Sequence, residues 1–155
     1  MKEWFKYEFG YVNIDSENLY LTNSGNWSET KGLSEKTKKV AAKSDNKSSS
    51  IIGFILAVAG LFGFLIYKSL LSGKAGLSLI LITVVGGYKL YDYLKSEIGA
   101  KFKIPLEKIS EIKDHESGIE VFFANGEGKP DSYKLQKVAE KGFAVMHSLK
   151  AQLAC

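Results

Sequence analysis

Apolar residues follow a different period in each part of this chain. Near the N-terminus they alternate: Phe5, Tyr7, Phe9 and Tyr11 are separated by Lys6, Glu8 and Gly10, and the apolar phase then shifts to Val12 and Ile14. A period of two belongs to a strand, and a change of face at a glycine is what a bulge produces, so one bulged strand is predicted here. Asp15-Ser16-Glu17-Asn18 reads as a turn, Leu19 to Thr22 as a second strand, and Ser24-Gly25-Asn26 as a turn before Trp27. Residues 1–30 thus predict a hairpin, which alone is marginal in water and needs a partner sheet.

From residue 51 the alternation disappears. Ile51 to Tyr67 carries no charge and continues through Lys68 to Leu71; Ala75 to Tyr88 is a second uncharged run, continued by Leu90, Tyr91, Tyr93 and Leu94. A helix apolar on all sides lies in a membrane or at the centre of a large protein, and 155 residues cannot build so large a core. A bilayer core takes about 20 helical residues to cross. Residues 51–94 therefore predict a transmembrane hairpin with spans at 51–71 and 75–94. In the shorter second span, Lys89 and Lys95 snorkel while Tyr88, Tyr91 and Tyr93 sit at headgroup level. Lysines cluster before the first span and after the second, at Lys95, Lys101, Lys103 and Lys108, whereas the connection offers Lys74. Positive charge stays inside, so the expected topology is a multi-pass cell (inner) membrane protein with both termini cytoplasmic.

Alternation returns at Phe102 and Ile104, up to Pro105; Ile109 and Ile112 mark a further short element. Ile119, Val121 and Phe123 alternate with Glu120 and Phe122, and Asn125-Gly126 opens a turn that runs on to about Asp131. Leu135, Val138, Ala139, Gly142, Val145, Met146, Leu149 and Leu153 then recur at helical spacing, predicting an amphipathic helix from about Gln136 to Leu153. Because two crossings return the chain to its starting side, segments 1–30 and 99–155 are expected to form one cytoplasmic domain. The membrane hairpin is its insertion, and residues 31–50 are a lysine-rich linker.

The succession of strands, membrane hairpin, Lys103-Ile104-Pro105-Leu106-Glu107-Lys108-Ile109-Ser110-Glu111-Ile112, the strand Gly118 to Phe123, Asn125-Gly126 and a closing amphipathic helix resembles the bacterial PH-like and GRAM-like membrane proteins described as YcxB-like. The resemblance covers nearly the whole chain apart from the linker. It implies an α+β membrane protein: a two-helix transmembrane hairpin inserted in a small PH-like antiparallel β domain, strongly bent and closed by the C-terminal helix.

Composition narrows the chemistry. Every basic residue is lysine, with no arginine in the chain. That counts against guanine readout, phospho-residue pockets and the arginine-containing cluster with which eukaryotic PH domains hold lipid phosphates. The net charge of +4 is read as attraction to a membrane surface, with no nucleic-acid partner. Cys155 is the sole cysteine, which leaves no disulfide or thiolate metal site. No nucleophile, phosphate-loop or metalloprotease motif occurs, and neither a catalytic set nor a cofactor is expected. Asp114-His115-Glu116 places an imidazole between carboxylates, but three consecutive turn residues diverge into solvent; His147 reads as a surface histidine at the margin of its helix.

Two residue sets remain as candidate sites. Lys31, Lys36, Lys38, Lys39, Lys43 and Lys47 form an expected contact with anionic lipid. Gly53, Ala57, Gly60, Gly63, Thr83 and Gly87 are small residues, most of them at four-residue spacing, suited to close helix packing within the hairpin, with another integral membrane protein, or in self-association. Lys89 and Asp92 read as a snorkelled pair at the cytoplasmic edge. The function expected is a non-enzymatic, membrane-anchored binding or scaffold module, an accessory subunit or adaptor of another membrane protein. The alternative is a small membrane-active hairpin that oligomerises into a pore or regulates one.

Overall fold

The first 22 residues build three strands where the alternation predicts two. In the computed structural model, which describes residues 2–71 and 77–153 apart from the side chains of 42–47, 77–80 and 95–97, β1 (Glu3–Tyr7), β2 (Gly10–Ile14) and β3 (Asn18–Thr22) form an antiparallel meander. The phase change at Gly10 is a reversal of the chain and not a bulge: Tyr7 pairs with Gly10, and Glu8-Phe9 make the turn. Both devices flip an apolar phase at a glycine, so period alone does not separate them. Glycine is required because a Cβ at position 10 would run into the Thr22 carbonyl oxygen. The next turn is closed by Asp15, whose carboxylate accepts from the Glu17 and Asn18 amides at 2.9 and 2.8 Å and from the Tyr20 hydroxyl at 3.0 Å.

The fourth strand of this sheet, β4 (Phe102–Pro105), comes from far along the chain. It pairs antiparallel with β3 in the register Leu21 with Phe102, Leu19 with Ile104 and Asn18 with Pro105. Everything between Thr22 and Phe102 is thus an excursion between two hydrogen-bonded neighbours. Most of it is helical: α1 (Lys38–Leu71) and α2 (Leu77–Ile98) pack against each other. The hydroxyl of Ser48 donates to the Ile98 carbonyl at 2.9 Å, which ties the lower part of α1 to the end of α2 and makes the pair antiparallel. The expected connection around Lys74, and the start of the second span at Ala75, lie outside the described residues. The linker expected over 31–50 is shorter, because α1 begins at Lys38. Thr37 caps it by accepting from the Val40 amide at 3.2 Å, and the helix-forming stretch Lys38 to Ala42 extends it.

After a short 3-10 turn (Leu106–Lys108), β5 (Ile109–His115), β6 (Gly118–Ala124) and β7 (Pro130–Gln136) form a second antiparallel sheet, with an irregular register between Ile109 and Glu111. The fold is therefore α+β with two antiparallel sheets. The C-terminal helix α3 runs Glu140–Leu153, so its expected start at Gln136 is four residues early. Leu135 belongs to β7, facing Ile119 across the ladder. Lys137, at φ 47°, breaks the strand before the helix starts. Helical spacing there was coincidental, because Leu135 reaches the core from a strand and Val145, Met146 and Leu149 reach it from α3.

The core lies between the two sheets and under α3. Phe5, Val12, Ile14, Leu19 and Leu21 meet Phe102 and Ile104 on one side, and Ile112, Ile119, Val121, Phe123 and Leu135 on the other. Residues before and after the helical pair share this single cluster. Each half alone would expose an apolar sheet face.

Candidate functional site

The functional question concentrates where the helices leave the sheets. Among the described residues, one helical segment, Ser48–Leu71, is long and apolar enough to cross a membrane; its mean hydropathy is 2.4 and none of it is buried within the protein. Phe54, Leu56, Leu61, Phe64, Leu65 and Leu71 are all exposed.

The predicted small residues divide between two faces of the pair. Gly63, Thr83 and Gly87, with Ala59 and Gly86, line a groove of about 460 Å³ between α1 and α2, completed by Ile55, Val58, Phe62, Ile66, Ile82 and Leu90. A Cβ on Gly63 or Gly87 would meet nothing within 4 Å. These glycines thus leave a gap and do not bring the backbones into contact, as close packing requires. Gly53, Ala57 and Gly60 lie on exposed α1 surface, and nothing lies within 4 Å of a Cβ built on either glycine.

A strap of residues 34–38 joins α1 to both sheets. The Lys103 amide donates to the Ser34 carbonyl at 3.0 Å, and Glu35 makes a parallel bridge with Lys103, so the strap extends the first sheet beyond β4. On its other side the Gly126 amide donates to the Lys36 carbonyl at 2.9 Å, and the Lys38 amide donates to the Glu127 carboxylate at 3.2 Å. That bond from Lys38 is the main reason the Glu127 carboxyl is held below its ordinary pKa. Gly126 therefore serves close approach as well as turning, since a Cβ there would press on Thr37 and Glu35 at 3.0 and 3.1 Å.

Lys36 is the centre of this strap. Its ammonium donates to Asp131 Oδ1 at 2.8 Å and the Ser132 carbonyl at 3.0 Å, and lies 5.7 to 6.0 Å from the ring centres of Phe123, Phe102 and Tyr133. With a side chain 17% exposed, it is part of the domain and not of a free cationic surface. Lys108 pairs with Glu35 at 2.7 Å beside it. Below these residues, the Tyr7 and Tyr133 hydroxyls meet at 3.3 Å; burial raises the pKa of both. Of the other predicted lysines, Lys31, Lys38 and Lys39 are exposed, whereas the side chains of Lys43 and Lys47 lie outside the described residues. Periodicity could not single out Lys36, because its partners are about 95 residues away along the chain.

Both histidines lie within hydrogen-bond distance of carboxylates. His115 meets Glu120 at 3.1 Å and Asp114 meets His147 at 3.1 Å, so Asp114 and His115 do not simply diverge into solvent. Ser132 donates to the Glu120 carboxylate at 2.8 Å, the first cause of that group's lowered pKa. Among the described residues no three histidine, cysteine, aspartate or glutamate side chains gather as a metal site.

No protein-family model, curated protein or solved structure matches this chain.

Proposed function

We propose that this chain is a non-enzymatic, membrane-anchored binding module, an accessory subunit or adaptor of another integral membrane protein. In this reading α1 and α2 form a two-helix transmembrane hairpin, both termini are cytoplasmic, and the split β domain, of the PH-like kind that the sequence resembles, is held against the inner leaflet. One observation carries the reading: an exposed apolar helical pair is inserted between β3 and β4, adjacent strands of one sheet. Both ends of the insertion must return to the same side, as two crossings allow. Seven antiparallel strands in two sheets with a closing helix also suit the PH-like resemblance. Lys31, Lys38 and Lys39, exposed beside the entry to α1, suit contact with anionic lipid. Against a pore, the groove between the helices is apolar except for Thr83.

The test is single-cysteine labelling in a Cys155→Ser background. Ser72→Cys should react with an impermeant maleimide from outside intact cells, and Ser24→Cys only in inverted vesicles. Both cysteines reacting from one side would refute the two-crossing topology. Purification from native membranes in mild detergent should then retain a foreign membrane subunit at fixed stoichiometry; a protein recovered alone would defeat the adaptor role.

A further inference from the structure

Each sheet has two outer strands, and the edges of β1, β4 and β7 are all in use. The Lys6 carbonyl of β1 accepts from the Ala139 amide, β4 carries the strap through Ser34 and Glu35, and β7 gives its Ser132 carbonyl to Lys36 and its Gln136 carbonyl to the Glu8 amide. The edge of β5 remains. Its turn to β6 has only Glu116 and Ser117, so His115 and Gly118 exchange both hydrogen bonds, and bonded pairs then alternate along the ladder. Asp114 and Ile112 therefore turn their amides and carbonyls away from β6. Among the described residues nothing bonds these groups there.

A cleft of about 220 Å³ runs beside this edge, walled by the last turn of α3. The register slip at Ser110 puts Ile109 on the same side as Ile112, so both reach the core face although they are three residues apart. Across the cleft stands Leu153, which continues the stripe of Val145, Met146 and Leu149 but is 40% exposed where Leu149 is 1%. At the other end of β5, His147 and Asp114, 3.1 Å apart, tie the helix to the strand. Lys150 lines the cleft and is exposed, with no bonded partner among the described residues. The one acid lining the cleft, Glu111, is taken by Lys113 at 3.1 Å. The volume falls below the roughly 300 to 1,000 Å³ of small-molecule sites and suits the side chains of an added strand.

We infer that this edge and cleft take an extended segment of a foreign protein, which pairs with β5 as an added strand; the inference rests on the binding-module reading above and names its docking surface. The outward backbone groups of Ile112 and Asp114 supply main-chain hydrogen bonds, and alternate side chains of the segment face the cleft. One of these is a large apolar residue, which covers Ile109 and Leu153. The next on that face, two positions along, is Asp or Glu, which meets Lys150. The spacing fits, because two strand residues span about 6.8 Å while Lys150 and Leu153 stand about 4.5 Å apart along the helix axis, a difference that a lysine side chain bridges. A second copy's β5 offers no such apolar residue, since its Ile109 and Ile112 both point towards their own core.

The probe is a library of random peptides of about ten residues, selected on the full-length protein in lipid nanodiscs and then titrated by fluorescence anisotropy. Selected sequences should share a large apolar residue two positions from an acid. Asp114→Pro removes an outward amide but no bond of the β5–β6 ladder, and should weaken binding about tenfold; Asp114→Ala keeps that amide, loses only the His147 contact, and should bind within about twofold of the parent. Lys150→Glu should lose the acidic peptides and bind the same sequences with Lys in place of the acid, an exchange that misfolding cannot mimic. No enrichment, equal binding by Asp114→Pro, or no exchange at Lys150→Glu would each overturn the inference, as would a homodimer that Asp114→Pro dissolves. Purification from native membranes separates this from failure of the adaptor reading. A foreign subunit retained by Asp114→Pro at the parent's stoichiometry refutes this docking surface alone; a parent protein recovered without any foreign subunit, and selecting no peptide, refutes both.

Discussion

Gly142→Ala is expected to destabilise the protein, although alanine is the better helix former. Gly142 lies in the first turns of α3, against β1. A Cβ there would come within 2.5 Å of both Phe5 Cδ2 and Val138 Cγ1 and 2.9 Å of Phe5 Cγ. Phe5 is 1% exposed and cannot swing into solvent, so the helix must lift or the sheet must shift. Overpacking costs about 1 to 3 kcal/mol, and two contacts of 2.5 Å, one of them to a buried ring, put this site in the upper half of that range, about 2 to 3 kcal/mol. Replacing glycine by alanine in a helix returns about 1 kcal/mol. The clash wins, leaving a net loss of about 1 to 2 kcal/mol. For a folded domain of this size that lowers Tm by roughly 5 to 12 °C. Trp4 and Trp27, both in the N-terminal part, report unfolding by fluorescence while the substitution sits in the C-terminal helix. Adding Phe5→Leu should recover part of the loss, a coupling between residues on opposite sides of the helical insertion. An unchanged or raised Tm would mean that α3 does not close over β1, and the single shared core would be wrong.

Lys36→Ala should lower stability by about 1 to 3 kcal/mol, because it leaves Asp131 without its cation, whereas Lys39→Ala on exposed helix should change it by less than about 0.5; equal effects in pulse proteolysis would deny Lys36 its place in the strap. Asp15 and Glu29 are partly buried, which raises their pKa, but hydrogen bonds from Glu17, Asn18 and Tyr20 to the first, and from Ser24 and Asn23 to the second, hold both below the ordinary carboxylate value. The unfolded chain therefore binds more protons in this range, so their contribution is full above about pH 5 and is lost as pH falls through the ordinary value near 4 towards the depressed ones. Asp15→Asn should flatten that acid limb in urea titrations at successive pH values, and an unaltered slope would remove Asp15 from the account. Gly60→Leu should leave abundance normal, since Gly60 has open space around it, and should reduce recovery of any partner subunit that docks on that face; loss of abundance with the partner retained would show the face closing the hairpin itself.

Sequence alone determined the alternation of strands, the exposed apolar character of α1, and the need of residues 1–30 for a partner beyond the helices. These are properties of period and length, and they follow from local geometry with water or lipid as the only other participant. It misread two boundaries where local signals are degenerate. The phase flip at Gly10 fits a bulge or a turn, and Leu135 fits a helix stripe or a strand; backbone pairing with β2 and β6 resolved them. The candidate sites were legible only as sets. Six lysines of one linker look alike in sequence, yet among those whose side chains are described it is Lys36 that is drawn against Asp131, because sheet packing brings residues about 95 positions apart into contact. The small residues likewise split between a groove and an open face according to how α1 and α2 turn towards each other. Register along the helices was likewise beyond the sequence: a charge-free run gives length, while the Ser48–Ile98 bond fixes how the start of α1 meets the end of α2. Periodicity says which face of an element is apolar; only the pairing of distant segments says what that face meets.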